Sequence, residues 1–103
     1  MITRYTLSIG LNDKDTKAQR IDTIEAYKII ENILTNNNIQ GATIFQTRGL
    51  YQGQWENGLQ VVINNYSNDN INNNILSSIR DLKISLNQNE IELSETKIKT
   101  RLV

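Results

Sequence analysis

The hydrophobic pattern of this 103-residue chain predicts an α+β fold, with an antiparallel sheet that carries two helices on one face. Three observations support this prediction. Apolar residues alternate with a period of two in several short segments, as in half-buried strands. Two longer segments repeat apolar residues every three to four positions, as amphipathic helices do. The segments follow one another in the order β-α-β-β-α-β, which is the split β-α-β order of ferredoxin-like folds.

The chain begins with a predicted strand over residues 2–10. Tyr5, Leu7 and Ile9 share one side of it and are expected to face the core, and Gly10 closes the alternation. Residues 11–17 are polar and show no period, which predicts a loop.

A helix is predicted over residues 22–36. Asp22 and Glu25 have the spacing of a capping box, which satisfies free backbone N–H groups at a helix start. The apolar stripe continues to Leu34, and three consecutive asparagines follow it.

The middle of the chain predicts two strands. The first covers residues 42–51 and ends at a turn made by Gln52-Gly53. A second turn is predicted at Asn57-Gly58, because Asn-Gly is a frequent hairpin dipeptide. The next strand covers residues 59–64 and is nearly continuously apolar, as is typical of an interior strand.

The last third predicts a second helix over residues 70–86 and a fourth strand over residues 90–94. Beyond Glu95 the alternation changes phase, so a bulge, a short fifth strand or a tail is expected at the C-terminus. The whole chain, residues 1–103, is interpreted as one domain.

The composition limits the possible chemistry. The chain contains neither His nor Cys, so imidazole catalysis, thiolate chemistry and the usual transition-metal ligand sets are excluded, and no cofactor or metal is expected. Positive and negative charges balance at eleven each, which argues against nucleic-acid binding. No apolar run approaches the roughly 20 residues of a membrane span, and the N-terminus lacks the apolar centre of a signal peptide. We therefore expect a cytoplasmic protein without a membrane partner.

The segment over residues 48–58 differs from the rest because it combines the single Trp with Arg, Tyr, Glu and three glycines. Arg can bind phosphate in a bidentate manner, aromatic rings can stack on a base, and Gly allows close approach of a ligand. The alternative is purely structural: a hairpin whose Tyr and Trp cover the sheet edge. Both interpretations remain open from the sequence. The fifteen Asn are attributed mostly to base composition, with Asn57 retained as functional.

Several short motifs resemble those of a small uncharacterised family of bacterial and phage proteins with a ferredoxin-like, PII-like layout. The motifs cover residues 3–11, 41–44 and 48–51, Gly53, Glu56-Asn57 and residues 86–88. The resemblance implies a homo-oligomer that binds a nucleotide between subunits. The loop between the second and third strands is much shorter than in PII-like proteins, which argues against a PII-type signalling role.

Together these observations predict a non-enzymatic, homo-oligomeric protein that binds a small nucleotide-derived anionic ligand. One version is a phage-encoded sponge that sequesters a host immune signal in the host cytoplasm. Two alternatives are a protein–protein interaction module that uses an exposed Tyr/Trp hairpin, and a carboxylate-dependent enzyme. The expected ligand-binding residues are Arg4 and Arg48 for phosphate, Tyr51 and Trp55 for stacking, and Glu56 and Asn57 for hydroxyl groups.

Overall fold

Four strands and two helices form the fold, and the computed structural model describes every residue from Met1 to Val103. The sheet has the order β2-β3-β1-β4 and all its neighbours are antiparallel. This confirms the predicted ferredoxin-like β-α-β-β-α-β architecture. The elements are β1 (Ile2–Gly10), α1 (Thr23–Asn36), β2 (Thr43–Tyr51), β3 (Gln54–Asn65), α2 (Asn72–Ser85) and β4 (Glu92–Ile98).

The core lies between one face of the sheet and the two helices. Alternate residues of β1 and β3 point into it, and the apolar stripes of α1 and α2 cover them. The opposite sheet face carries no helix and is called the open face below; β1 places Arg4, Thr6 and Ser8 on it. The core residues from the strands are Tyr5, Leu7, Ile9, Leu59, Val61 and Ile63, and those from the helices are Ala26, Ile30, Leu34, Ile75 and Leu82.

The two helices begin in different ways. Asp22 caps α1, because its side chain accepts a hydrogen bond from the Glu25 backbone N–H at 2.9 Å. Helix α2 begins after Ile71, and no side-chain hydrogen bond caps it. Neither helix is long and apolar enough to cross a membrane.

Strand β3 begins five residues earlier than predicted, so the predicted turn at Asn57-Gly58 is wrong. The chain reverses only at Gln52 and Gly53, which both have positive φ angles of 51° and 77°. Gly58 lies inside the strand, opposite Gly10 of β1. A Cβ at Gly58 would lie 2.7 Å from the Ile9 carbonyl oxygen, so Gly is required for close packing and not for a turn.

Replacing Gly58 by alanine is expected to destabilise the fold by about 1–3 kcal/mol, because the added methyl group overpacks the junction of β1 and β3. Urea denaturation measures this change. Gly41→Ala is the matched control, since a Cβ there meets no atom within 4 Å. Equal stabilities for the two variants would contradict the close packing at Gly58.

The C-terminal strand β4 is continuous and contains no bulge, and residues 99–103 form a tail without a fifth strand. The apparent change of phase has a simpler cause. Glu95 and Lys97 share the helix-facing side of β4 with Leu93, but they are exposed at this sheet edge. The alternation of apolar residues therefore stops while the register continues.

Candidate functional site

The hairpin formed by β2 and β3 extends beyond the rest of the sheet. Strand β1 ends at Gly10, opposite Gly58, so residues 48–57 form strand pairs only across the turn, and one backbone hydrogen bond, from the Leu11 N–H to the Asn57 carbonyl at 2.9 Å, joins them to the chain beyond β1. We call residues 48–57 the hairpin arm. It carries five of the six residues that the sequence predicts as a ligand site, and its two faces hold different groups.

One face of the arm lies on the helix side. Arg48 pairs with Asn57, and Leu50 pairs with Trp55, so these four residues share this face. The Arg48 guanidinium lies 4.9 Å from the centre of the Trp55 ring, within the range of a cation–π contact. The Asn57 side-chain amide donates to Gln19 Oε1 at 2.9 Å, which ties the arm to the loop between β1 and α1.

The opposite face of the arm continues the open face of the sheet and carries Glu56. The Asn12 backbone N–H donates to Glu56 Oε2 at 2.8 Å, which fixes the carboxylate above the end of β1. A Cβ at Gly10 would lie 2.5 Å from that same oxygen, so a larger residue there would displace the carboxylate from this position. Gly49 is the cross-strand partner of Glu56, and a Cβ there would meet nothing within 4 Å. The carboxylate is therefore held in place beside open space.

No cationic side chain neutralises Glu56. The one ion pair within 4.0 Å in the structure joins neighbouring Arg80 and Asp81, far from the arm in sequence. Glu56 is half-buried, so its charge is only partly screened by solvent. A cationic ligand group would complement this carboxylate.

Tyr51 lies on the same face as Glu56, two cross-strand pairs further toward the turn. Residues two apart on a strand are separated by about 7 Å. The Tyr51 side chain is 77% exposed, so its ring is available for stacking. Glu56, Gly49 and Tyr51 thus form one continuous surface within a single chain.

Arg4 lies at the opposite end of the open face. Its Nε donates to Asn64 Oδ1 at 2.8 Å, and it lies six positions before Gly10 on β1, about 20 Å along the strand. Strand β3 lies between β1 and β2, so Arg4 and Arg48 do not meet within one chain. The structure therefore divides the six predicted residues into three places: Arg4 alone, Arg48 with Trp55 and Asn57, and Tyr51 with Glu56.

The support for Glu56 comes from residues that the sequence analysis missed. The Gln88 side-chain amide donates to the Asn12 carbonyl at 2.8 Å and so holds the residue whose N–H binds Glu56. The neighbouring Asn87 side-chain amide donates to Asp13 Oδ1 at 2.7 Å and to Asp15 Oδ2 at 2.9 Å. We call Asp13, Asp15 and Asn87 the loop clasp. Asn87 has a φ angle of 50°, a conformation that Asn tolerates better than most residues.

The loop clasp lowers the pKa of Asp13 to about 2, first through the hydrogen bond from Asn87 and next through the backbone N–H of Thr16. A carboxyl group with a lowered pKa stabilises the fold above its ordinary value of 3.8, and this contribution is lost as the pH falls toward 2. Asn87→Gly keeps the positive φ angle but removes the donor, so we expect the pKa of Asp13 to rise toward 3.8. An NMR titration of the carboxyl carbon measures it, with Asn89→Gly as control. An unchanged pKa in Asn87→Gly would contradict the clasp.

Comparison with known proteins gives a fold match but no family. No family model matches the chain, and no curated protein does. Two solved structures of a phage SAM lyase match with a TM-score of 0.69 each. The complex with S-methyl-5'-thioadenosine is 20% identical over 93% of this chain and 81% of that chain. The apo state is 19% identical over 91% and 78%, respectively. A de novo designed protein, Foldit4, matches with a TM-score of 0.56 and 13% identity over 96% of this chain and 100% of that chain.

These matches change two of the expectations from the sequence. The prediction of a non-enzymatic protein is wrong on this comparison, because both phage structures are of a lyase, which is an enzyme. The resemblance to small phage proteins is supported at the level of the fold, whereas the PII-like part of the resemblance is not confirmed.

Proposed function

We propose that this chain is an enzyme that binds S-adenosylmethionine and cleaves it to S-methyl-5'-thioadenosine. The observation that carries the proposal is the Glu56 carboxylate, which is fixed by the Asn12 N–H, lies between two glycines and has no cationic partner in the chain. S-adenosylmethionine contains a sulfonium and an ammonium group, and both are cations. The fold likeness to a phage SAM lyase with bound S-methyl-5'-thioadenosine supports the same ligand class.

The chemistry of this substrate suits a chain without His or Cys. A sulfonium sulfur leaves as a neutral thioether, so no general acid has to protonate the leaving group. In the simplest route, a carboxylate oxygen of the substrate attacks its own γ carbon while the bond from that carbon to sulfur breaks. The electron pair of the broken bond goes to sulfur, and the products are S-methyl-5'-thioadenosine and a five-membered lactone. No proton moves and no water is consumed.

Glu56 is assigned to substrate orientation in this route. A carboxylate paired with the substrate ammonium holds the amino acid chain in a bent conformation, with its carboxylate oxygen near the γ carbon. Elimination would instead need a strong base to take a proton from an unactivated carbon, which makes the cyclisation the simpler reaction. The Tyr51 ring is placed to stack on adenine, along the same face of the arm.

We further propose that the enzyme is a homo-oligomer. Arg48 and Trp55 lie on the other face of the arm from Glu56, so a second copy would have to bring them to the same ligand. The exposed apolar residues of the arm, among them Leu50 and Trp55, favour such a contact. As a proposed phage protein, the enzyme would act on S-adenosylmethionine in the host cytoplasm. Sedimentation velocity tests this assembly: a single monomeric species at all protein concentrations would overturn it.

Replacing Gly49 by valine is expected to weaken ligand binding without destabilising the fold. The valine side chain would fill the open space beside Glu56, while a β-branched residue suits a strand position. Calorimetric titration with S-methyl-5'-thioadenosine should show Kd at least about tenfold higher than in the wild type, a loss of about 1.4 kcal/mol. The melting temperature should not fall.

Gly41→Ala is the matched control, because it lies outside the arm and also adds a side chain into open space. If Gly49→Val and the wild type bind the ligand with equal affinity, the ligand does not bind to this face. A complex with a binding free energy of only about 4 kcal/mol in magnitude is half formed at about 1 mM ligand. If the wild type shows no binding at that concentration, the proposed ligand class is wrong.

A further inference from the structure

A cleft lies at the far end of the sheet from Glu56. It has a volume of about 820 Å³ and is bounded by the starts of β1 and α2, by residues 65–70 and by β4. We call it the terminal cleft. Thr3, near the start of β1, and Gly10, at its end, are about 23 Å apart along the strand, so the terminal cleft is separate from the proposed substrate site.

Tyr5 brings a hydroxyl without a partner in the protein to the terminal cleft. The residue is only 6% exposed, yet its hydroxyl has no hydrogen-bond partner in the protein and is not sealed from solvent. The hydroxyl itself reaches solvent, so water can be its partner in the free protein. Since Tyr5 lines the cleft, a ligand there can supply that partner.

Opposite charges lie beside Tyr5 on the same face of the sheet. Glu95 is the cross-strand partner of Tyr5, and Lys97 is the partner of Thr3. The Lys97 ammonium donates to Thr3 Oγ1 at 2.6 Å and keeps two further N–H donors. Glu95 and Lys97 are two residues apart on β4, so their side chains lie on the same side of the strand. An α-amino acid carries a carboxylate and an ammonium group on one carbon, so it offers each of these two side chains a group of opposite charge.

The start of helix α2 adds a further preference for a negative group. The residue before the helix, Ile71, offers no capping side chain, and no acidic residue occupies the first turn. The Asn72 backbone N–H donates a hydrogen bond to Asn70 Oδ1 at 2.9 Å, and both residues line the cleft. The positive end of the helix dipole therefore lies at the wall of the terminal cleft.

We propose that the terminal cleft binds a free α-amino acid with an apolar side chain. The ligand carboxylate binds Lys97 and the Tyr5 hydroxyl, and the ligand ammonium binds Glu95. The apolar side chain lies against Tyr5 and Tyr66, two hydrophobic residues of the lining. This site does not depend on the proposed cleavage reaction, because it shares no residue with the arm.

The test is an NMR titration of the full chain with L-leucine, followed through the amides of Thr3, Tyr5 and Asn72. We expect saturable shifts with Kd in the range up to about 1 mM, which corresponds to about 4 kcal/mol. L-leucine methyl ester lacks the carboxylate and N-acetyl-L-leucine lacks the ammonium, so each should bind at least about tenfold more weakly, a loss of about 1.4 kcal/mol.

Lys97→Met and Tyr5→Phe should weaken L-leucine binding while the folded spectrum is kept. Lys99→Met is the matched control, since Lys99 follows β4 in the tail and does not line the cleft. At about 10 mM L-leucine, a complex with a binding free energy of about 2.7 kcal/mol in magnitude would be half formed. Absence of chemical-shift changes at that concentration would overturn the proposal. So would equal binding of L-leucine and its two blocked derivatives, or equal weakening by Lys99→Met.

Discussion

Replacing Glu56 by glutamine is expected to lower kcat/KM for S-adenosylmethionine by about 10- to 150-fold. The substitution keeps the shape of the side chain and an oxygen that can accept the Asn12 N–H. It removes only the negative charge. A hydrogen bond to a charged group contributes about 1.5–3 kcal/mol, which converts to this range of rates. Release of S-methyl-5'-thioadenosine, followed by chromatography under first-order conditions, measures the change.

Glu92→Gln is the matched control for this prediction. Glu92 is an exposed carboxylate on the same open face, opposite Ser8 of β1, but it lies outside the hairpin arm. Its loss should leave kcat/KM unchanged. If both variants lose activity equally, the general negative charge of the open face matters and not the particular position of Glu56. If neither loses activity, Glu56 has no role in the reaction.

Replacing Leu7 by alanine is expected to produce the largest loss of stability, about 2–5 kcal/mol. Leu7 is fully buried at the centre of β1, and its cross-strand neighbours are Val61 and Leu93. Folded domains have a free energy of unfolding of only about 5–15 kcal/mol, so this loss is a large fraction of the total. For a domain of this size it should lower the melting temperature by more than about 10 °C.

Leu76→Ala tests whether burial is the cause. Leu76 lies on α2 but is 49% exposed, so its truncation should change the free energy of unfolding by less than about 0.5 kcal/mol. Thermal and urea denaturation of both variants measure the difference. Equal destabilisation by Leu7→Ala and Leu76→Ala would contradict the position of the core between the sheet and the helices.

The order of the elements could be predicted from the sequence because it depends on local periodicity. The apolar stripe that ends at Leu34 and the N-cap at Asp22 can both be recognised from the residues of α1 and its flank alone. Helix α1 begins and ends within one residue of its predicted bounds. The alternation of Tyr5, Leu7 and Ile9 likewise identifies the buried side of β1. Such signals need no knowledge of distant parts of the chain.

The turn at Asn57-Gly58 could not be excluded from the sequence, because the reason for Gly58 lies in another strand. An Asn-Gly pair is typical of turns, yet Gly58 is needed where the Ile9 carbonyl of β1 approaches. The error also hid the length of the hairpin arm. With a second turn at that point, the pairing of Glu56 with Gly49 could not be derived.

The contacts that position the candidate site connect residues far apart in the chain. Asn87 and Asp13 are 74 positions apart, and Gln88 reaches Asn12 over 76. Base composition therefore does not account for every asparagine, since Asn87 holds the loop beside the site. The separation of Arg4 from Arg48 has the same origin, because the strand order β2-β3-β1-β4 is a property of the whole sheet.

The absence of His gave a misleading expectation about catalysis. It argues against reactions that need a general acid or base near neutral pH. It does not argue against a reaction whose leaving group is already activated, as a sulfonium is. The carboxylate of Glu56 can orient such a substrate without proton transfer.

Incubation of the purified chain with S-adenosylmethionine, followed by mass spectrometry of all products, tests the proposed reaction most directly. We predict S-methyl-5'-thioadenosine and the five-membered lactone in equal amounts, with formation slowed in Glu56→Gln and unchanged in Glu92→Gln. Unchanged S-adenosylmethionine after prolonged incubation with the folded chain would contradict the proposed function.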